Sequence, residues 1–406
     1  MGLRILWSSN APWCATGYGG QSGHLLPRFQ KLGHTCAVHA WHGLLGGTIQ
    51  WQGMPILPAA VDKYGNDIVV EHATRYRADL VISLIDLFVL DPARFAALPC
   101  PWLPWFPVDH TPVSPALLAR ARVAAYPTCY ARWGVDQMAA AGIACHYVPH
   151  GVDTRVYTPG DQAAARKALG FPAEGFIATM VAANKGVRKA FPEQLRAFAA
   201  FHQRHPDAHL YIHAEMTGVY EGLHLPTLAA AVGLPDDAVL YPNQYDLVGG
   251  FEEEVLAAVY QASDVLLGAT MAEGFGIPIV EAQACGTPVI TTDFSAMPEL
   301  TCNGMATKPL QQVWITADPR VARDHYGWQV LPSVEAIRYA LECIASRTPK
   351  ERARQAERGV AFVREHYDWD VVVDQSWRPL LERVEADLQA GRGARALRTA
   401  AEAVPA

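Results

Sequence analysis

Short apolar runs alternate with amphipathic stretches along the first 150 residues. Leu3–Ser8, Thr35–Ala40, Leu80–Leu84, Trp102–Pro107, Ala124–Thr128 and Cys145–Val148 have the length and apolar content of buried strands, and helical patterns lie between most of them. Parallel strands need crossover connections, so this rhythm predicts a parallel sheet covered on both faces. The rhythm restarts at Gly175 with Phe176–Val181, His209–His213, Val239–Tyr241, Val265–Leu267 and Pro288–Thr291, separated by helix-length segments such as Pro192–His205 and Glu252–Ala262. A second doubly wound sheet is expected there. Between the two, Pro149 to Gly160 is rich in Pro, Gly and Asp and reads as a linker, with the ligand cleft expected beside it. Beyond residue 330 the pattern is helical only, with Val334–Ser346, Lys350–Glu365 and Trp369–Gln389 as candidates. The predicted fold class is therefore α/β, two doubly wound domains facing across a cleft with helices at the C-terminal end. The predicted division is a first domain over 1–150, a linker over 151–160, a second domain over 161–365, a helix over 366–390 packing back on the first domain, and an Ala/Arg-rich tail over 391–406.

Size supports two domains, since 406 residues exceed the ~250–300 at which one hydrophobic core stops growing. With 50% hydrophobic and 18% charged residues, the chain has a packed rather than a disordered composition. A net charge of -7 gives no broad footprint for nucleic acid or an anionic membrane, so nucleic acid is not expected as a partner and membrane association is at most peripheral. Met1 to Leu6 runs straight into a strand without a signal-peptide pattern, and Leu6 breaks the myristoylation pattern. The longest apolar stretch, Leu80 to Leu90, is interrupted by Asp86 and is far shorter than the ~20 residues of a membrane span. A cytoplasmic location is expected. The eight cysteines form no C-x-x-C pair, which argues against zinc and redox motifs. His202, His205, His209 and His213 suggest a metal site, but Pro206 should end the helix carrying His202 and leave the last two on a strand, so no metal is expected there.

In open parallel sheets ligands bind outside the carboxyl ends of the strands, which singles out two loops. Ala15 to Gly23 follows the first strand and opens a helix; its Gly19 and Gly20 could bring backbone N–H groups to a phosphate. It is not a dinucleotide fingerprint, because Ser22 stands at a glycine position and Val38-His39-Ala40 offers no ribose-binding acid. The second loop, Met271 to Ala282, follows Val265–Leu267. Pro278 suits a first helical turn and places Glu281 about one turn in, while Phe275 and Gly276 would present backbone donors at the helix mouth. Carboxylates and N–H donors in one segment suit a sugar nucleotide.

This segment resembles the E-x7-E element of the retaining glycosyltransferases of family 4 (glycosyl transferases group 1), running from Glu273 to Glu281 and continuing through Gly286-Thr287-Pro288 to Pro298-Glu299. Other stretches align in the same order. Val148-Pro149-His150-Gly151-Val152-Asp153 with Tyr157-Thr158-Pro159 resembles the family's interdomain "PNGVD…F.P" stretch, with His for Asn. Ala262-Ser263-Asp264-Val265 and Lys31-Leu32-Gly33-His34 resemble two further elements. The resemblance implies the GT-B fold of two Rossmann-like domains. It implies that Glu281 holds the ribose, and that Glu273 with the Phe275 and Gly276 N–H groups holds the sugar hydroxyls, in a donor loop that includes Gly274 and Ile277. The family's diphosphate-binding lysine matches Lys189. Its arginine falls near Ala183 or Asn184, so Arg188 or Lys185 is left to compensate. His110, after Asp109, matches a histidine that many relatives place near the sugar. The catalytic set is thus His110, Glu273 and Lys189.

The function expected on this resemblance is transfer of a sugar from a nucleoside-diphosphate-sugar donor to a hydroxyl acceptor with retention, without cofactor or metal. A GT-B-fold nucleotide-sugar epimerase and a non-catalytic sugar-nucleotide-binding protein are the alternatives. The donor base, the acceptor and the oligomeric state carry no signal of their own. The Gly- and Trp-rich stretch His42–Pro58, with Trp41 and Trp51, is read as an acceptor-side loop or as core.

Overall fold

The structure, a computed structural model, describes residues 2–219, 221–316 and 324–391. It falls into two compact units. The first is built from the described residues of Met1–Gly151, Trp314–Gly327 and Trp369–Ala406, the second from those of Val152–Val313 and Trp328–Asp368.

The first unit contains an eight-stranded sheet: β1 (Arg4–Asn10), β2 (Thr35–Leu45), β3 (Ile49–Trp51), β4 (Met54–Ala59), β5 (Leu80–Leu84), β6 (Trp102–Phe106), β7 (Thr128–Cys129) and β8 (His146–Tyr147). Their order is β3-β4-β2-β1-β5-β6-β7-β8, parallel throughout except for the β3–β4 pair. The winding direction reverses between β1 and β5, so the crevice available to a ligand lies at their carboxyl ends. Period-two alternation divides the core. Leu6, Val81, Trp102 and Phe106 pack on one face with Val69, Ala73 and Leu117. On the other, Trp7 meets Phe29 and Trp105, and both of these meet Trp377, whose ring lies 5.2 Å from Phe29 and 5.0 Å from Trp105. Trp377 closes a π-helical turn, Val373–Trp377, that leads into the helix Arg378–Gln389, and Tyr126 Oη donates to Asp387 at 2.9 Å.

Two expectations change here. His42–Pro58 is not one loop: β2 runs on to Leu45, and β3 and β4 form a hairpin across Gln52-Gly53, both with positive φ, the turn that suits a two-residue connection. The expected strand Ala124–Thr128 shrinks to Thr128–Cys129, because Pro127 has no N–H and the N–H groups of Ala125 and Tyr126 both turn in to Trp102 O.

The second unit contains a six-stranded parallel sheet of β9 (Ile177–Val181), β10 (His209–His213), β11 (Val239–Leu240), β12 (Val265–Leu267), β13 (Val289–Thr292) and β14 (Met305–Thr307), ordered β11-β10-β9-β12-β13-β14. Ala178, Met180, Leu210, Ile212 and Val265 pack on helices Phe191–His202 and Val334–Ala345 through Leu195, Phe198, Phe201, Ile337 and Leu341. Arg166 is buried at the amino ends of the central strands β9 and β12, donating to Asp264 at 2.8 Å, and Asp264 also accepts the Ile177 N–H at 2.8 Å. After β14, where the pattern suggested no further strands, β15 (Pro309–Thr316) and β16 (Tyr326–Pro332) pair as a separate two-stranded sheet. The Ala/Arg-rich tail lies, beyond Gly391, outside the described residues. No helix among the described residues is long and apolar enough to cross a membrane.

Candidate functional site

At the carboxyl end of β12 the loop Gly268–Gly276 leads into the helix Ile277–Ala284, with Pro278 in its first turn. Gly276 precedes it at φ 115°, a conformation that L side chains rarely adopt, and a Cβ there would stand 2.7 Å from Ile279 Cδ1. The loop is tied to the connection after β9 by Met271 N–H donating to Arg188 O at 2.9 Å, and Gln194, fully buried, braces both loops: its Nε2 donates to Lys189 O at 2.7 Å and its Oε1 accepts the Ala269 N–H at 3.0 Å. Gln194 was not singled out in the sequence; its only signal is a polar residue on the apolar face of an amphipathic helix.

These ties bring three of the expected site residues into contact. Glu273, 8% exposed, accepts from Arg188 Nη1 at 2.8 Å and from Lys189 Nζ at 2.6 Å. Arg188 Nη1 also donates to Ala272 O at 2.7 Å, and the Glu273 N–H is held by Ser295 Oγ at 3.0 Å. Burial pushes the Glu273 carboxyl up, but Lys189 and Arg188 more than offset it and hold the pKa down at about 2. Of the two candidates for the family arginine, Arg188 is the one at Glu273, while Lys185 is exposed. Asn184, one of the two positions near which the family arginine falls, is buried and fully engaged, donating to Glu215 O and Leu223 O and accepting the Leu223 N–H.

Glu281, one turn into the helix, is buried and accepts from Tyr260 Oη at 2.8 Å; Tyr157 is a second phenol bonded to it. Burial and the neighbouring carboxylate keep both phenols protonated, so both act as donors. Gly274, Phe275, Gly276 and Ile277 form the link between the two glutamates, and the Phe275 ring stands edge-on to Tyr367 at 5.7 Å.

Gly19, Gly20 and His110 belong to the first unit. Thr16 caps the helix Gly17–Lys31; its Oγ1 accepts the Gly19 N–H and its O the Gly20 N–H, both at 3.0 Å. The two N–H groups expected to meet a phosphate are therefore taken up by the cap. His110, 1% exposed, follows β6; its Nδ1 donates to Asp109 Oδ1 at 3.0 Å, and its Nε2 accepts the Ser114 N–H at 3.2 Å. A cavity of about 30 Å³, room for about two waters, opens beside it between Asp86, Phe88, Pro107, Asp109, Leu117 and His325. His202 ends its helix and His209 and His213 lie on β10, and among the described residues no three His, Cys, Asp or Glu are placed to hold a metal ion.

Comparison with known proteins places this geometry. The profile of the family "Glycosyl transferases group 1" matches residues 161–312, the stretch that carries Arg188, Lys189, Glu273 and Glu281. The D-inositol 3-phosphate glycosyltransferase of Mycolicibacterium gilvum is 34% identical over 160 residues, 38% of this chain and 33% of that protein, so the chain matches about a third of the length of this curated relative. Among solved structures, sucrose-phosphate synthase from Thermosynechococcus elongatus superposes with a TM-score of 0.74 at 15% identity, covering 95% of this chain and all of that one. HepE from Anabaena, solved with UDP and glucose, superposes with a TM-score of 0.67 at 17% identity, covering 95% and 100%. At these identities the structures speak for the fold: two Rossmann-like domains of the GT-B type. Residues 161–312 thus match the family of glycosyl transferases group 1, in a chain with the GT-B fold.

Proposed function

We propose that the chain transfers a sugar from a nucleoside-diphosphate-sugar donor to a hydroxyl acceptor, with retention of anomeric configuration and without a metal ion. The observation that carries this reading is the convergence of Arg188 and Lys189 on Glu273 at the mouth of the helix that bears Glu281. In this reading Arg188 and Lys189 receive the diphosphate, Glu281 the ribose hydroxyls, and Glu273 with the Phe275 and Gly276 N–H groups the sugar. The acceptor hydroxyl attacks the anomeric carbon from the face the phosphate leaves. The bond to the phosphate oxygen breaks, the bond to the acceptor oxygen forms, and the departing oxygen takes the acceptor proton. Negative charge grows on the diphosphate as this happens, so cations fixed beforehand stabilise the transition state more than the ground state. His110 is assigned to a hydroxyl of the sugar or acceptor through Nε2, since its present partner, the Ser114 N–H at 3.2 Å, stands at the long end of hydrogen-bond range and yields to a stronger donor. Relatives named as glycosyltransferases favour transfer over epimerisation, and the UDP and glucose bound to HepE make UDP-glucose the first donor to try.

The test is thermal stability of the protein in chelator against UDP-, GDP- and ADP-sugars and the free diphosphates, because a ligand that binds only the folded state raises Tm. One nucleotide series should raise it, Glu281→Ala should abolish the rise, and turnover should survive the chelator. Nucleotide binding and turnover unchanged in Glu281→Ala would refute the assignment.

A further inference from the structure

We propose that His325 is a positioning residue for His110, acting through Ser114. The inference rests on the role given to His110 above. Residues 324–327, just before and at the start of β16, lie within the first unit and are strapped over the His110 loop. Ala116 N–H donates to Asp324 O at 3.2 Å, and Gly327 packs so closely that a Cβ there would stand 2.6 Å from His110 Cδ2 and 3.0 Å from its Cβ. Between these two ties His325, itself buried, lies stacked on Phe88 at 4.1 Å, edge-on to His110 at 4.7 Å, with Nδ1 3.0 Å from Ser114 Oγ.

Ser114 is therefore gripped at both ends. Its side chain meets His325, and its backbone N–H meets His110 Nε2. A backbone N–H can only donate, so Nε2 is the accepting nitrogen and the ring proton sits on Nδ1, facing the Asp109 carboxylate. That tautomer keeps the Nε2 lone pair at a fixed place, where a sugar or acceptor hydroxyl takes over from the Ser114 N–H on binding. His325 holds the serine that holds this arrangement, and it remains neutral, since burial and the nearby His110 lower its pKa to about 4. Nothing in the sequence marks the link, since His325 and His110 are far apart along the chain.

The experiment uses the full-length protein labelled with ring-15N histidine, the His110 signals being assigned by their loss in His110→Gln. Wild type should show one protonated and one lone-pair nitrogen for His110. His325→Ala should move both towards exchange averaging of the two tautomers, and His325→Asn, whose amide can occupy the place of Nδ1, should restore the wild-type pattern. With UDP-glucose as probe, His325→Ala should lower kcat about tenfold with KM unchanged, the effect of one hydrogen bond, and His325→Asn should recover most of it. Unmoved His110 signals in a folded His325→Ala protein overturn the proposal, as does moved signals with no recovery in His325→Asn. The donor reading is judged separately by the Tm rise with UDP-glucose, which wild type and His325→Ala should share; its absence from both would count against the donor and leave the nitrogen signals to decide on His325.

Discussion

Replacing Glu273 by Gln removes the carboxylate charge that meets Arg188 and Lys189 while leaving the side-chain shape. The lowering of the Glu273 pKa from an ordinary 4.5 to about 2 corresponds to about 3 kcal/mol of stability at neutral pH, an order-of-magnitude figure. Because the folded-state pKa is the lower one, this stability is fully present above about pH 4.5 and is lost as the pH falls towards 2. Glu273→Gln should therefore be destabilised by about 3 kcal/mol at pH 7, near 10 °C in Tm for a domain of ~200 residues, and the gap from wild type should close in acid. The same change should act oppositely on ligands. If Arg188 and Lys189 receive the diphosphate as proposed, loss of the carboxylate should strengthen their hold on it, so free UDP should bind about tenfold more tightly, whereas UDP-glucose gains less because its hydroxyls lose an acceptor. Urea unfolding between pH 3 and 8, with calorimetric titration of UDP and UDP-glucose, reads both. A variant whose stability gap is independent of pH, or which binds UDP more weakly than wild type, would show that Glu273 does not compete with the diphosphate for these cations.

Gly276→Ala should cost about 1–3 kcal/mol from its positive φ and the contact with Ile279, and should abolish the Tm rise with nucleotide because the helix mouth shifts. Tyr260→Phe removes a 2.8 Å donor from buried Glu281 and, on the ribose role proposed for Glu281, should weaken UDP and UDP-glucose equally, by roughly three- to tenfold; calorimetry of the two ligands checks this. Asp264→Asn breaks a pair in which both side chains are buried and should cost about 3–5 kcal/mol in urea unfolding, with nucleotide affinity in the surviving folded protein unchanged.

Much of this architecture was legible in the sequence because parallel strands buried on both faces leave continuous apolar runs: Leu80–Leu84, His209–His213 and Val265–Leu267 were read to the residue. Short exposed strands leave no such mark. The β3–β4 hairpin was signalled only by Gln52-Gly53 between Ile49-Gln50-Trp51 and Met54-Pro55-Ile56, a pattern easily taken for an aromatic loop, and β15 carries mostly exposed side chains. Within the site, the E-x7-E spacing pointed to Glu273 and Glu281, but spacing says nothing of partners. That Arg188 and Lys189 both turn onto Glu273, that Asn184 is spent on the loop after β10, and that Tyr157 and Tyr260 grip Glu281 depend on contacts between segments tens of residues apart. The glycines of the first loop show the reverse problem: their composition suggested a phosphate cradle, but a single capping threonine takes both N–H groups.

The placement of Trp377 has a consequence for how the protein is made. Its indole fills the space between Phe29 and Trp105, so the part of the first unit made before the second unit is closed by a side chain made only after it. At ~5–20 residues per second, the segment between residues 151 and 377 takes on the order of ten to forty seconds to synthesise. During that interval the second unit has its sheet in hand while Trp7, Phe29 and Trp105 lack their lid. Apolar surface around Trp7, Phe29 and Trp105 should thus stay uncovered until residue 377 is made, and a chain truncated before Trp377 should bind an apolar dye more strongly than the full chain does.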